Sequence, residues 1–305
     1  MLLPAVQERK DTLPELADAI ASAISCANTR RWLHRRLRIF LAWCEEEGRP
    51  FTRRTVLDYR THLEESGISR ASVNQALIAI RKLAREAADS DWIDHGSAES
   101  ICAVKGKRQL GTRAGRWLTK DEARRLRDAP DPTTMKGKRD RALLALLLGT
   151  ALRRAEAVAV RVEDMERREG RWMFPDMEGK GGRIRTVLMP SWAATRIHDW
   201  LAAAGITSGP ILRRVRAHGK VQPEGLTTEG LYFALKEYAR QCEVDIAPHD
   251  LRRTFGKLAK KGGAETRAIM AQLGHSSERC TERYLGLDLY LESPACDHLD
   301  LGGGE

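Results

Sequence analysis

The chain lacks paired cysteines. Its six, Cys26, Cys44, Cys102, Cys242, Cys280 and Cys296, stand far apart and form no C-x-x-C pair. That excludes a disulfide framework and a zinc module of ordinary spacing, and the six read as reduced thiols in or near cores, Cys280 included. Long apolar runs are missing too. The longest, Ala142 to Leu148, falls far short of the roughly 20 residues of a membrane span and reads as a buried helix. No secretory leader is visible, because Glu8, Arg9, Lys10 and Asp11 arrive before an apolar segment can form. Acid is in short supply: 42 Asp and Glu against 52 Lys and Arg give a formal charge of +10. What remains is a cytoplasmic globular protein of 305 residues, 42% hydrophobic and 31% charged, long enough for two cores and built to attract a polyanion, nucleic acid first.

The first hundred residues read as helices without heptads, repeats or low-complexity tracts. Leu13 to Ser25 carries Leu13, Leu16, Ala17 and Ile20 on one side. A longer helix, with Asn28 or Thr29 as its cap, ends near Gly48 and buries Leu33, Leu37, Phe40, Leu41 and Cys44. Its other side holds Arg30, Arg31, Arg35, Arg36 and Arg38 with no acid between them. These form either a solvated face or a phosphate-binding one. Thr52 to Ser66 and Ser69 to Ala88 follow, separated by Gly67. On the latter, Arg70, Ser72, Asn74, Gln75 and Arg81 are free to face outward, and such side chains are able to read base edges. From Lys105 to Arg116 runs a stretch of five cations, three glycines and no acid, including Lys105, Lys107, Arg108 and Arg113. It suits a flexible basic connector lying along a phosphate backbone.

Thr119-Lys120-Asp121-Glu122 is a capping box that opens a second domain. Lys138 to Leu148 is the buried helix, ended by Gly149, and Thr150-Ala151-Leu152-Arg153-Arg154-Ala155-Glu156 turns into another. There Glu156, three residues on, is placed to brace Arg153, though the same spacing suits a plain surface pair. Between Arg171 and Pro190 the period becomes two, with Gly179-Lys180-Gly181-Gly182 at the turn of a β-hairpin. This is no P-loop, since the spaced earlier glycine and the hydroxyl after the lysine are absent. Lys180 is either a proton donor to a substrate oxygen or a solvated turn residue. A helix from Ser191 to Ala203, a basic loop or short hairpin from Arg213 to Lys220, and a helix opening at Thr227 or Thr228 and running through Ala239 complete the series.

Pro248-His249-Asp250-Leu251-Arg252 then starts a helix with His249 and Arg252 on one face. Gly274 ends a later one, leaving His275 at a junction, and Ser276 or Ser277 caps the helix of Tyr284. A forked cation, two imidazoles and a phenol suit a phosphate group better than a carbonyl.

In the order Arg153, Lys180, His249-x-x-Arg252, His275, Tyr284, the chain resembles the tyrosine recombinases, the phage-integrase, Xer-like and Cre-like family, from about Leu13 to Leu291. Thr150 to Glu156 is similar to that family's T-G-L-R-x-x-E box, with Ala151 where glycine is usual. Gly179 to Arg183 is similar to its hairpin, His249 to Arg252 to its H-x-L-R box, and Leu273-Gly274-His275-Ser276 with Tyr284 to its closing box. The resemblance implies a mainly helical protein with a small antiparallel β-sheet, in which a SAM-like helical core-binding domain (1–103) and a basic linker (104–116) precede a catalytic domain (117–290) and a tail (291–305), closing as a C-shaped clamp on duplex DNA. It implies that Tyr284 attacks a scissile phosphate to give a 3′-phosphotyrosyl link, that Arg153 and Arg252 clamp the phosphate oxygens, and that His249 and His275 assist. It further implies that Lys180 protonates the leaving 5′ oxygen and that neither ATP nor a metal is used. The partners implied are a double-stranded recombination site and three further copies, in a tetramer joined through C-terminal segments and acting through a Holliday junction. The competing expectations are a DNA-binding regulator on an inactive scaffold and a relaxing enzyme like the type IB topoisomerases.

Overall fold

In the computed structural model, the chain divides into two compact units, Met1–Gly111 and Thr112–Glu305. The structure describes residues 12–108, 115–179 and 182–285.

The first unit holds α1 (Leu13–Ser22), α2 (Ala27–Glu46), α3 (Arg53–Glu65), α4 (Arg70–Asp89) and α5 (His95–Cys102). Side-chain oxygens set most of their starts: Thr12, Thr52, Ser69 and Asp94 each accept a backbone N–H of the first turn. The expected caps of α2 are displaced, for Asn28 and Thr29 lie inside it and Cys26 occupies the cap position. α1 ends at Ser22, earlier than its apolar spacing suggested. α5 has no counterpart in the sequence reading. α4 is central, with Ala79, Leu83 and Ala87 packed on α1 and α2 and Val73, Leu77 and Ile80 packed against Phe40, Tyr59 and Ile101.

The second unit is built around α7 (Met135–Thr150), preceded by α6 (Lys120–Asp128). α7 is buried on all sides from Ala142 to Thr150, as its unbroken apolar run demands. Near its start, Arg139 and Asp140 form a buried ion pair of 2.6 Å, and the Tyr238 hydroxyl donates to Asp140 at 2.9 Å. α7 does not end at Gly149, contrary to expectation. Gly149 is a packing residue, since a Cβ there would come within 2.8 Å of the Ala193 methyl. The helix stops at Ala151, a non-glycine residue in the left-handed region at φ 56°.

After α8 (Arg154–Ala159), the strands β1 (Glu166–Arg168), β2 (Arg171–Glu178) and β3 (Ile184–Met189) form an antiparallel sheet in that order. Phe174 pairs with Val187, and the register slips between Phe174 and Met177, around Pro175, which has no N–H to give the ladder. β3 turns Val187 and Met189 into the core, while Ile184 and Leu188 are exposed. Arg185 therefore shares the inward face. Then come α9 (Ser191–Ala203), the β4 (Arg213–Val215) and β5 (Val221–Gly225) hairpin, α10 (Thr228–Gln241), α11 (Pro248–Lys261), α12 (Thr266–Leu273) and α13 (Glu278–Leu285). Of the thiols expected in or near cores, Cys44 is buried, whereas Cys26 and Cys280 are exposed. The helical fold with small antiparallel sheets is the one expected.

Candidate active site

α11 supplies two of the groups. Pro248 opens it at the first position, and Asp250 turns back to accept the Ala247 N–H at 3.0 Å. One turn in, the Arg252 side chain is only 2% exposed. Its two terminal nitrogens donate to the Ala151 carbonyl at 2.6 Å and to the Leu273 carbonyl. Burial, and then the Arg153 charge, push its guanidinium down to about 10, still cationic at neutral pH. The arginine turn, α11 and the end of α12 are thus tied together by one side chain.

Arg153 occupies the cap position of α8. Its backbone N–H and its Nη1 both donate to Glu156, each at 2.8 Å. Glu156 has a second partner that the sequence reading did not anticipate. Arg185 of β3 donates from Nη2 at 2.8 Å and from Nη1 at 3.2 Å to the same carboxylate, and both side chains are about nine-tenths buried. Burial works to raise the Glu156 carboxyl, but hydrogen bonds from Arg185 and Arg153 outweigh it and hold the group below its ordinary value. Arg185 also donates from Nε to the Gln272 carbonyl at 3.3 Å. Gln272 in turn takes the Leu188 N–H at 3.0 Å and donates to the Leu188 and Thr150 carbonyls at 2.9 and 3.1 Å. The period-two spacing of β3 put Arg185 on the Val187 side, and only that signal could have found it; nothing in the sequence distinguished Gln272.

Gly274 closes α12 in the left-handed conformation at φ 62°, as its place before His275 suggested. A Cβ there would also strike the Arg185 side chain at 2.6 Å. Ser277 accepts the Cys280 N–H at 3.2 Å and starts α13. Leu285 packs with Ala151, Ile269 and Leu273 in a small apolar cluster that seats the helix. The Tyr284 ring then lies edge-on to both imidazoles, 5.6 Å from His249 and 4.9 Å from His275, and its hydroxyl is 3.4 Å from the His249 carbonyl. Over its face, 5.1 Å from the centroid, stands the guanidinium of Arg253, another residue missed in the sequence.

The electrostatics follow from this crowding of cations. Burial, then Arg252 and Arg253, lower His249. Burial, then Arg252, Arg153 and His249, push His275 down to about 4. Both imidazoles are neutral at pH 7. Burial raises the Tyr284 phenol to about 12 despite the opposing pull of Arg252 and Arg253. Such a phenol needs a base to become a nucleophile, and a neutral histidine is one.

Arg153, His249, Arg252, His275 and Tyr284 are thus gathered, with Glu156 beneath. Lys180 falls outside the described residues. Its neighbour Gly179 lies beside the cluster, where a Cβ would be 3.1 Å from Arg185 Nη1 and 3.7 Å from Arg153 Nη1. The candidate DNA-contacting groups of the first unit, for base edges and for phosphates alike, are less free than expected. Asn74 is committed to the backbone of Lys107, donating to its carbonyl at 2.8 Å and accepting its N–H at 2.7 Å. Arg81 donates to the Val104 carbonyl at 2.6 Å and Ser72 is paired with Ser69. Lys107 forms an ion pair of 2.7 Å with Glu64, and Arg31 donates to Asn28 at 2.6 Å. Arg35, Gln75, Lys105 and Arg108 remain exposed and Arg36 is half-buried, while Arg113 lies outside the described residues. Just past the connector, Leu118 donates to the buried Thr254 hydroxyl at 2.9 Å, and Lys257 sits 4.1 Å from the centroid of the Trp117 ring.

A family model described as the phage integrase family matches residues 116–289. The chain is 30% identical over 249 residues to tyrosine recombinase XerA of Thermococcus kodakarensis, covering 81% of this chain and 80% of that one. It is 28% identical over 251 residues to XerD of Halalkalibacterium halodurans, covering 78% of each. Its fold matches that of the XerH site-specific recombinase in a post-cleavage complex with a palindromic difH substrate, with a TM-score of 0.70 at 15% identity over 93% of this chain and 94% of the other. A lambda integrase bound to a COC′ core site matches at 0.66 and 15% identity, over 88% and 92%. With a family model spanning more than half its length and a relative at this level of identity, the chain belongs to the phage integrase family of tyrosine recombinases.

Proposed function

We propose that the protein exchanges DNA strands at a specific duplex site, with Tyr284 as nucleophile. The phenolic oxygen forms a bond to the scissile phosphorus while the bond from phosphorus to the 5′ oxygen breaks, leaving a 3′-phosphotyrosyl link and a free 5′-hydroxyl. His249 takes the phenolic proton, Arg153 and Arg252 hold the non-bridging oxygens, and His275 bonds one of them. Lys180 gives its proton to the departing 5′ oxygen. One phosphoester replaces another, so the backbone bond energy is retained and ATP is not consumed. The observation that carries this reading is the lodging of the Tyr284 ring between His249 and His275, on the same few residues that bury Arg252.

Site-specific recombination as the overall activity is supported by the relatives, among them XerH, a site-specific recombinase bound to its difH substrate. Exchange between two duplexes needs two pairs of active subunits, and we assign the tetramer to contacts through the segment that follows Leu285. Exposed Arg35, Lys105 and Arg108, with Arg36 and Arg113, are assigned to the DNA backbone, and exposed Gln75 to base edges. We place the reaction in the cytoplasm, with the duplex DNA it acts on.

The experiment is a nicked suicide duplex bearing the cognate site, incubated with wild type and Tyr284→Phe and resolved on a denaturing gel. Wild type is expected to give a covalent protein–DNA band and the variant none. An adduct of equal yield from the variant removes Tyr284 from the role. Adduct formation with relaxation of supercoils but no two-site exchange assigns the protein to topoisomerase-like chemistry, and duplex binding without any adduct assigns it to regulation.

A further inference from the structure

Thr281 is fully buried on α13, three residues before Tyr284, and its hydroxyl lies 3.0 Å from Nδ1 of His275. A threonine hydroxyl has one proton to give. The other acceptor within reach is the Ser277 carbonyl, at 3.4 Å. That carbonyl already receives the Thr281 backbone N–H at 3.3 Å, and although its second lone pair is open, 3.4 Å is long for an O–H···O bond. The shorter contact, to an otherwise unsatisfied ring nitrogen, is the stronger hydrogen bond.

An imidazolium would carry protons on both nitrogens, but Arg252 and His249 of α11, Arg153 at the start of α8 and Arg185 of β3 all oppose a further positive charge there. The ring is neutral at pH 7, so a single nitrogen carries hydrogen. Where Thr281 donates, Nδ1 is the bare nitrogen and the proton resides on Nε2. Nε2 has no hydrogen-bonding partner among the described residues.

We propose that Thr281 is a positioning residue that fixes the tautomer of His275, so that an uncharged imidazole presents its Nε2–H as a hydrogen-bond donor to the phosphate. This rests on the reading that His275 bonds a phosphate oxygen. It adds the reason a histidine serves there without becoming charged, and it ties the donor to the helix of the nucleophile. Were the proton on Nδ1, the same ring would offer a lone pair to an anionic oxygen and repel it.

The tautomer is measured directly by two-bond nitrogen–proton correlation spectra of histidine-labelled protein at pH 7, with His275→Gln to assign the signals. Expected is a pyrrole-like Nε2 and a pyridine-like Nδ1 for His275; the reverse pattern overturns the proposal. In single-turnover cleavage of the suicide duplex, Thr281→Val is expected to slow adduct formation about 10- to 100-fold, with duplex affinity retained, and Thr281→Ser to restore it. Equal rates for Val and wild type, or failure of Ser to rescue, also overturn it. If wild type forms no adduct at all, the nucleophile assignment fails instead, and the spectra still decide the tautomer.

Discussion

Arg252 donates a 2.6 Å hydrogen bond to the carbonyl of Ala151, a residue 101 positions earlier that sits in the left-handed region. One buried cation is thereby fastened to the one place where α7 is forced to turn, two residues before the other candidate phosphate clamp.

The left-handed backbone costs an alanine about 1–2 kcal/mol, which glycine would avoid. The Ala151 methyl, however, packs with Ile269, Leu273 and Leu285, and losing a buried methyl costs about 0.8 kcal/mol, to which glycine adds about 0.5–1 kcal/mol of unfolded-state entropy. The opposing effects nearly cancel. Ala151→Gly is expected to leave the urea midpoint almost unchanged, whereas Ala151→Val, β-branched at positive φ, lowers it by the equivalent of more than about 2 kcal/mol.

Glu156 neutralises two arginines at once, and Arg185 has little access to water if the carboxylate is removed. Glu156→Ala is expected to cost about 3–5 kcal/mol, the range for stranding a buried charge. The carboxyl is held below its ordinary value, so its contribution is complete above pH 4.5 and disappears as pH falls through the lowered folded value. Urea unfolding curves collected between pH 7 and 3 should therefore show wild type and Glu156→Gln converging in acid. Parallel curves would show that the charge on Glu156 plays no part.

His275 acts in the same direction, over a higher window of pH. Its folded value, about 4, lies below the ordinary 6.5, so the unfolded chain takes up a proton that the folded chain refuses. Stability is full above pH 6.5, declines as pH falls from there to about 4, and levels off below. His275→Gln should flatten the slope of thermal midpoint against pH in this window, the remainder coming from His249, which is lowered for the same reason.

Legibility in the sequence followed how local each cause was. Thr119, Thr227, Ser277 and Pro248 mark helix starts through side-chain chemistry confined to one turn, and the structure has helices starting there. Glu156 was within reach of Arg153 by helical spacing alone. Gly149 misled, because glycine ends a helix and also lets two helices approach, and only the position of Ala193 separates the two uses. The face of β3 was ambiguous because Ile184 and Leu188 are as apolar as Val187 and Met189. Burial of Arg185 depends on a carboxylate 29 residues away. Arg253 was invisible because its significance arises only where α11 meets α13, and Thr281 because its partner His275 reaches it only through the turn between α12 and α13. The free Asn74 and Arg81 of the sequence reading were spent on the chain leaving α5, a helix whose opening His95-Gly96-Ser97 carries little helical signal.

The bonds that assemble the site also date it. Gln272 reaches back 122 positions to Thr150, Arg252 reaches back 101 to Ala151 and Arg185 forward 87 to Gln272. Such long loops close late, and chains emerge from the ribosome N-terminus first. A growing chain thus carries Arg153 and Arg185 long before α12, whose Gln272 holds Arg185, and α13, with Tyr284, emerges last of the described elements. With Tyr284 as the proposed nucleophile, a chain that stops before α13 is unable to cut, and the order of synthesis itself withholds the reaction until then.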